Sequence, residues 1–211
     1  MRTIPMKTPT SGNLGRRQLL LSAAAGLVAA TLPAAPAQAI TIGTARSLID
    51  RLVSEINGVI NSGRSEAAML RDFESIFSRY ADVAIIARSA LGVAARSASS
   101  AQMSAFTTAF RGYVARKYGR RFREFSGGRI EVTGVGPVKS FYEVTSLAYL
   151  PGSSPFEVRW HVSDKSGRDL FFNLIIEGVN MLATERTEIG AMLDRRRGDI
   201  DALIADLRQA S

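Results

Sequence analysis

The run Leu170-Phe171-Phe172-Asn173-Leu174-Ile175-Ile176 places the tightest constraint on how this chain folds. It has the length of a strand and is rich in aromatic and β-branched side chains, and its lack of alternation calls for cover on both faces. The segments around it must supply that cover. Downstream, Glu177-Gly178-Val179-Asn180 ends the strand, and Thr184 and Arg186 lead into two closing helices. Asp199 is placed to cap the last of these, in which Ile200, Leu203, Ile204 and Leu207 share one face at i, i+3, i+4 and i+7.

Upstream, four amphipathic helices are expected. Ile49, Leu52, Val53, Ile56 and Ile60 mark the first, which stops at Asn61-Ser62-Gly63. A second runs from about Ser65 with Leu70, Phe73, Phe77 and Tyr80 on one face, and Asp82 caps a short third that ends at Gly92. Ser99 and Gln102 have the spacing of a capping box for a long fourth helix, from about Ser100 to Phe125, with Phe106, Phe110, Tyr113, Val114, Tyr118 and Phe122 inward and Gly127-Gly128 closing it.

From Arg129 the apolar period drops from 3.6 to about 2. Four strands follow, at about 129–138, 141–150, 155–163 and 168–177, joined by turns short enough for antiparallel neighbours. Phe156, Val158, Trp160 and Val162 alternate with Glu157, Arg159, His161 and Ser163, so one face is buried. Gly134-Val135-Gly136-Pro137 lacks the strand-loop-helix setting and the Lys-Ser/Thr of a phosphate loop, and predicts a kink or bulge in the first strand. Helices, then a meander, then helices make an α+β fold: N-terminal helices and a C-terminal pair on a twisted antiparallel sheet of about four strands.

The first 39 residues carry Arg2, Lys7, Arg16 and Arg17 without an acid, then an apolar stretch from Leu19 to Leu32, then Ala37-Gln38-Ala39. That order is expected of a secretory signal cleaved after Ala39, leaving 40–211 as a single domain and placing it in the periplasm. Gly15-Arg16-Arg17-Gln18-Leu19-Leu20 also resembles a twin-arginine signal, so both export routes stay open. Four of the 27 Lys and Arg lie in this segment, leaving 23 against 19 acids, or +4. So small an excess does not suit a nucleic-acid protein.

The inventory argues against catalysis. There is no cysteine and one histidine, His161, so cysteine nucleophiles and multi-histidine zinc sites are ruled out, and a Ser-His-Asp triad would need His161 at its centre. Neither a metal nor another cofactor is expected, and no enzymatic activity. What remains is large apolar area on two surfaces that face each other, the fourth helix and one side of the sheet. Periodicity leaves two accounts open: a filled core, or helix and sheet held apart around an apolar cavity, since a twisted sheet can cup away from its covering helices.

An ordered set of short patterns settles on a family. Ala87-Arg88, Leu91-Gly92, Phe106, Ala109-Phe110, Tyr113 and Tyr118, then Glu177-Gly178-Val179, Arg186 and Asp201-Ala202-Leu203-Ile204, resemble the MlaC or toluene-tolerance family over most of the chain after residue 39. The resemblance implies a periplasmic phospholipid carrier that shuttles between an inner-membrane ABC-type complex and an outer-membrane lipoprotein complex, as part of outer-membrane lipid asymmetry. It also tips the choice toward a cavity for acyl chains, with Phe106, Phe110, Tyr113, Trp160, Phe172, Ile175 and Val179 as its lining. Against the family pattern, Ala95 stands for a Trp, Asp169 and Asn173 for a Trp and an Asp, Asn180 for a Ser, and Glu185 for an aromatic residue. These departures open the cargo to a hopanoid or another polycyclic lipid. The competing reading is a periplasmic adaptor with a filled core. For it Arg195-Arg196-Arg197 is the candidate partner or headgroup surface, unless the run is simply a solvated helix end.

Overall fold

The computed structural model describes residues 39–119 and 124–210. The expected signal segment, apart from Ala39, and Phe122 lie outside the described residues. Four helices come first: α1 (Ile42–Ile60), α2 (Glu66–Tyr80), α3 (Val83–Leu91) and, after a 3-10 turn at Gly92–Arg96, α4 (Ser100–Gly119). Each start is fixed by a side chain that accepts an otherwise unpaired N–H of the first turn. Thr41 serves α1 and Ser65 serves α2. Asp82 takes the Ile85 N–H at 3.1 Å, and Ser99 with Gln102 forms the reciprocal capping box of α4.

The strands β1 (Arg129–Val138), β2 (Phe141–Tyr149), β3 (Phe156–Ser163) and β4 (Leu170–Ile176) form an antiparallel meander, close to the expected spans. The sheet gains a fifth member, β5 (Val179–Asn180). It pairs back on β4 through Glu177 and Gly178, whose φ values of 49° and 80° give the doubly left-handed turn that two-residue hairpins favour. Asn180 then caps α5 (Met181–Arg195), so Thr184 and Arg186 lie inside this helix rather than ahead of it. Asp199 caps α6 (Ile200–Gln209) as its spacing predicts, with the Ala202 N–H at 3.0 Å.

Two irregularities shape the sheet. In β1 the register shifts between Val132 and Gly134, which is the bulge expected from the glycine pair. Between β3 and β4 it shifts at His161/Val162: Val162 faces Phe171 while His161 faces Asn173, leaving Phe172 as the extra residue. The consequence is a change of parity along β4. Phe171, opposite Val162, and Leu174 and Ile176, opposite Trp160 and Val158, share the covered face, whereas Ile175 stands opposite Arg159.

The free edge of β1 is closed by α1. Asn57 both donates to the Ile130 carbonyl (3.0 Å) and accepts its N–H (2.9 Å), and Asn61 does the same for Gly128 O and Gly127 N at 3.1 Å each. Two asparagines a helical turn apart thus occupy edge groups that would otherwise be open to another strand. Elsewhere, Arg186 on α5 lies over Gly92, its Nε 3.3 Å from where a Cβ would stand, and Arg116 on α4 donates to the Ala210 carbonyl at 2.8 Å, closing the end of α6.

Candidate functional site

The helices do not fill the space above the sheet. A cavity of about 600 Å³ lies there, within the roughly 300–1,000 Å³ range of small-molecule sites. Its helical wall is made by Leu52, Ile56 and Ile60 of α1, Phe73, Ile76 and Phe77 of α2, and Ile86 of α3. Phe110, Val114 and Tyr118 continue it along α4 at four-residue steps. The sheet contributes Ile130, Ala148, Phe156, Val158, Trp160, Phe171, Leu174 and Ile176, and α5 adds Met181, Leu182 and Glu185. The indole N–H of Trp160 is met by Ser146 Oγ at 2.9 Å, so this large ring presents no unsatisfied donor to the cavity.

The register locates the mouth. Arg129 pairs with Tyr149, Phe156 with Ala148, Val158 with Ile176, and Ile176 with Val179, so the start of β1, the end of β2, the start of β3 and the β4–β5 hairpin lie at one end of the sheet. Lining residues at that end, Glu124, Arg129, Glu177 and Val179, are exposed, Val179 by 54%. Lining residues at the other end, including Ile76, Ile86, Trp160 and Phe171, are buried. The space is therefore a blind apolar pocket with a polar rim.

Of the residues singled out from sequence, Phe110, Trp160, Phe172 and Val179 border this cavity. Phe106, Tyr113 and Ile175 are not at its wall. Phe106 is fully buried beside Phe110, with ring centroids 5.8 Å apart, and Tyr113 turns its hydroxyl to Glu188 at 2.6 Å. Ile175 is displaced by parity, since Leu174 and Ile176 are the positions that face inward. Sequence reasoning missed the contribution of α1 and α2 altogether. The amphipathic faces of both were legible, but a 3.6-residue period says only that a face is covered, not what covers it.

One cluster of charge interrupts the apolar wall. Lys117 Nζ lies 2.7 Å from Glu185 Oε1 and also contacts Glu188, while the Tyr118 hydroxyl donates to the same Glu185 oxygen. Burial works against the charge on Lys117, but the two carboxylates hold its pKa above the ordinary value. Burial likewise opposes ionisation of Glu188, yet hydrogen bonds from Lys117 and Tyr113 keep its pKa below the usual carboxylate range. Burial first, then the carboxylate each one faces, pushes Tyr113 and Tyr118 up. Glu185 is 4% exposed, and among the described residues its second oxygen, Oε2, has no hydrogen-bond partner.

The remaining candidates sit elsewhere. His161 is on the sheet but not at the cavity wall, with Nε2 3.1 Å from Glu143 Oε2 and its ring 4.5 Å from that of Phe141. Arg195, Arg196 and Arg197 are exposed where α5 ends. Arg196 is held by Asp206 through two hydrogen bonds of 2.7 and 2.6 Å. Among the described residues there is no cluster of His, Cys, Asp and Glu fit to hold a metal ion, and no helix long and apolar enough to cross a membrane.

Comparison with known proteins agrees with this architecture. The family described as MlaC protein matches residues 46–209. Among solved structures, a phospholipid-binding protein from Ralstonia solanacearum, determined in complex with a phospholipid, superposes with a TM-score of 0.64 at 15% identity, over 80% of this chain and 95% of that one.

Proposed function

The chain belongs to the MlaC family, and from that premise we propose that it is a periplasmic lipid carrier whose cavity takes the acyl chains of a phospholipid. The observation that carries this reading is the apolar pocket of about 600 Å³ between helices and sheet, open at one end, in a fold shared with a phospholipid-binding protein determined in complex with a phospholipid. A pocket of this kind favours the carrier over an adaptor with a filled core. Burying about 30 methylenes at roughly 0.8 kcal/mol each is worth about 24 kcal/mol relative to water, but a bilayer offers nearly the same. The carrier therefore needs only parity with the membrane, slow loss to water, and a docked partner to drive handover. None of these steps calls for bond chemistry.

Membrane transport complexes on the inner and outer membranes are the partners this reading requires. Arg195 and Arg197, exposed beside the Arg196–Asp206 pair, are the proposed docking cations. Export and cleavage after Ala39 are also part of the proposal, and the fold has a place for the new terminus: the Ile40 nitrogen lies 3.0 Å from Asp164 Oδ2. After cleavage this contact becomes an ion pair. Organic extraction of protein purified from the periplasm, followed by lipid mass spectrometry, tests the reading. About one phospholipid per protein supports it, a polycyclic lipid redirects the cargo to that class, and protein that neither carries nor can be loaded with lipid refutes it.

A further inference from the structure

Val93 is the most exposed large apolar side chain among the described residues, at 70%, and it stands between cations. It lies in the 3-10 turn Gly92–Arg96, with Arg88 of α3 before it and Arg96 after it, both exposed. Arg186 of α5, exposed as well, reaches the same turn and sets its guanidinium over Gly92. At φ 64° position 92 suits glycine, and a Cβ there would stand 3.3 Å from the arginine Nε, so the seat depends on the missing side chain. Helical rise puts Arg88 about 6 Å and Arg96 about 8 Å from Gly92 along the chain. Three arginines from three elements thus gather around one bare valine. None of the three has an ion-pair or hydrogen-bond partner among the described residues, whereas Arg79 of α2 and Arg111 of α4 are held by Glu55 and Glu74. All 19 acidic residues lie among the described residues, and residues 120–123 read Arg-Arg-Phe-Arg, so no further acidic side chain answers these cations.

This corner lies close to the mouth. Met181, two residues after Val179 at the rim, lines the cavity and starts α5, and Arg186 is five residues on, about 7.5 Å along the helix. We infer that the corner rests on the surface of an anionic lipid bilayer, with Arg88, Arg96 and Arg186 among the headgroups and Val93 at the acyl boundary, so that the mouth is held beside the membrane that gives or takes lipid. The inference rests on the carrier reading above and adds a membrane contact to it. A bilayer fits the observations better than an acidic protein does. A protein interface needs a packed apolar core, and one valine ringed by arginines offers little of it. A layer of anionic headgroups needs no matched partners: it attracts each cation separately and admits a single apolar side chain at its boundary.

The test mixes protein purified from the periplasm with vesicles of phosphatidylcholine alone, or of equal parts phosphatidylcholine and phosphatidylglycerol, and measures sedimentation with the vesicles. Cargo is measured separately, by lipid extraction. The wild type should bind the anionic vesicles in preference to the neutral ones and lose that binding as salt is raised. Arg88→Gln/Arg96→Gln/Arg186→Gln should bind the anionic vesicles about 100-fold more weakly, from about fivefold per cation beside such a surface. Arg51→Gln/Arg71→Gln/Arg208→Gln, which removes the same charge from α1, α2 and α6, should stay within about twofold of the wild type. If the first variant does not fold, Arg88→Gln/Arg96→Gln leaves the seat at Gly92 intact and should still lose about 25-fold. A wild type that binds anionic vesicles no better than neutral ones overturns the inference and points to an acidic protein partner instead. Equal losses in the two triple variants overturn it as well. Both outcomes leave the carrier reading standing, whereas a wild type that neither carries nor takes up lipid removes the carrier reading and this inference together.

Discussion

The buried face of helix α4 is equally dry along its length and differently occupied. Phe106 and Phe110 both have no measurable exposure, and both read from sequence as core. Phe106 lies away from the cavity, on a helix that also packs against α6 and its buried Leu203, Ile204 and Leu207. Phe110, followed by Val114 and Tyr118, faces about 600 Å³ of space that the protein itself leaves open. Exclusion from water is thus the same signal at both positions, although Phe106 is enclosed by neighbouring atoms and Phe110 borders open space. Periodicity reports the first property and is blind to the second.

The two positions should separate most strongly under truncation. Phe106→Ala removes a side chain from packed surroundings and should cost about 3–5 kcal/mol in chemical unfolding, with lipid load per folded molecule unchanged. Phe110→Ala enlarges a space that already exists, so the transfer term dominates and the cost should be about 1.5–3 kcal/mol, accompanied by altered lipid retention. Equal stability losses and equal lipid loads in the two variants would erase the distinction.

A smaller effect is expected from the ionic cluster that joins α4 to α5. Lys117→Met leaves two carboxylates facing each other without their shared cation and should cost about 2–3 kcal/mol, below the full value for a dry pair because the lysine side chain is 25% exposed. The same cluster gives stability a pH signature. Lys117, Tyr113 and Tyr118 hold their protons more tightly when folded, so their contribution is full below their ordinary values of 10.0–10.5 and is lost as pH rises beyond them. Glu188 is shifted down, so its contribution is present above its ordinary value of 4.5 and is lost as pH falls through the lowered one. Thermal unfolding of Tyr118→Phe against wild type should show a shallower alkaline decline. Parallel curves would mean that the hydroxyl is not coupled to the fold.

Much of the fold was legible because its boundaries rest on local chemistry. Asp82, Ser99 with Gln102, and Asp199 all cap the helices their spacing predicts, α2 starts next to Ser65 as expected, and the glycine pair of β1 marks a real bulge. These signals need only a few neighbouring residues. The second bulge, at His161/Val162, has no such signature: it arises where two strands meet, and it brings Phe171 to the same face as Leu174 and Ile176, from which Ile175 points away. Asn57 and Asn61 were equally silent, since their role is to meet a strand edge about 70 residues away. Glu185 was visible as a departure from the family pattern. Its meaning was not, because an unpaired oxygen is defined by what three-dimensional packing fails to bring to it.

The central claim is that the space between α4 and the sheet is a lipid site, and filling it is the most direct test. Ala148, 2% exposed on β2, contributes only a methyl group to the wall opposite the helices. Ala148→Trp should project a ring into the cavity and leave the fold intact, with stability changed by less than about 1–3 kcal/mol. Native mass spectrometry of the two proteins purified in parallel should then show lipid-bound wild type and lipid-free Ala148→Trp with the same circular dichroism. A folded Ala148→Trp that carries as much lipid as the wild type would contradict the account.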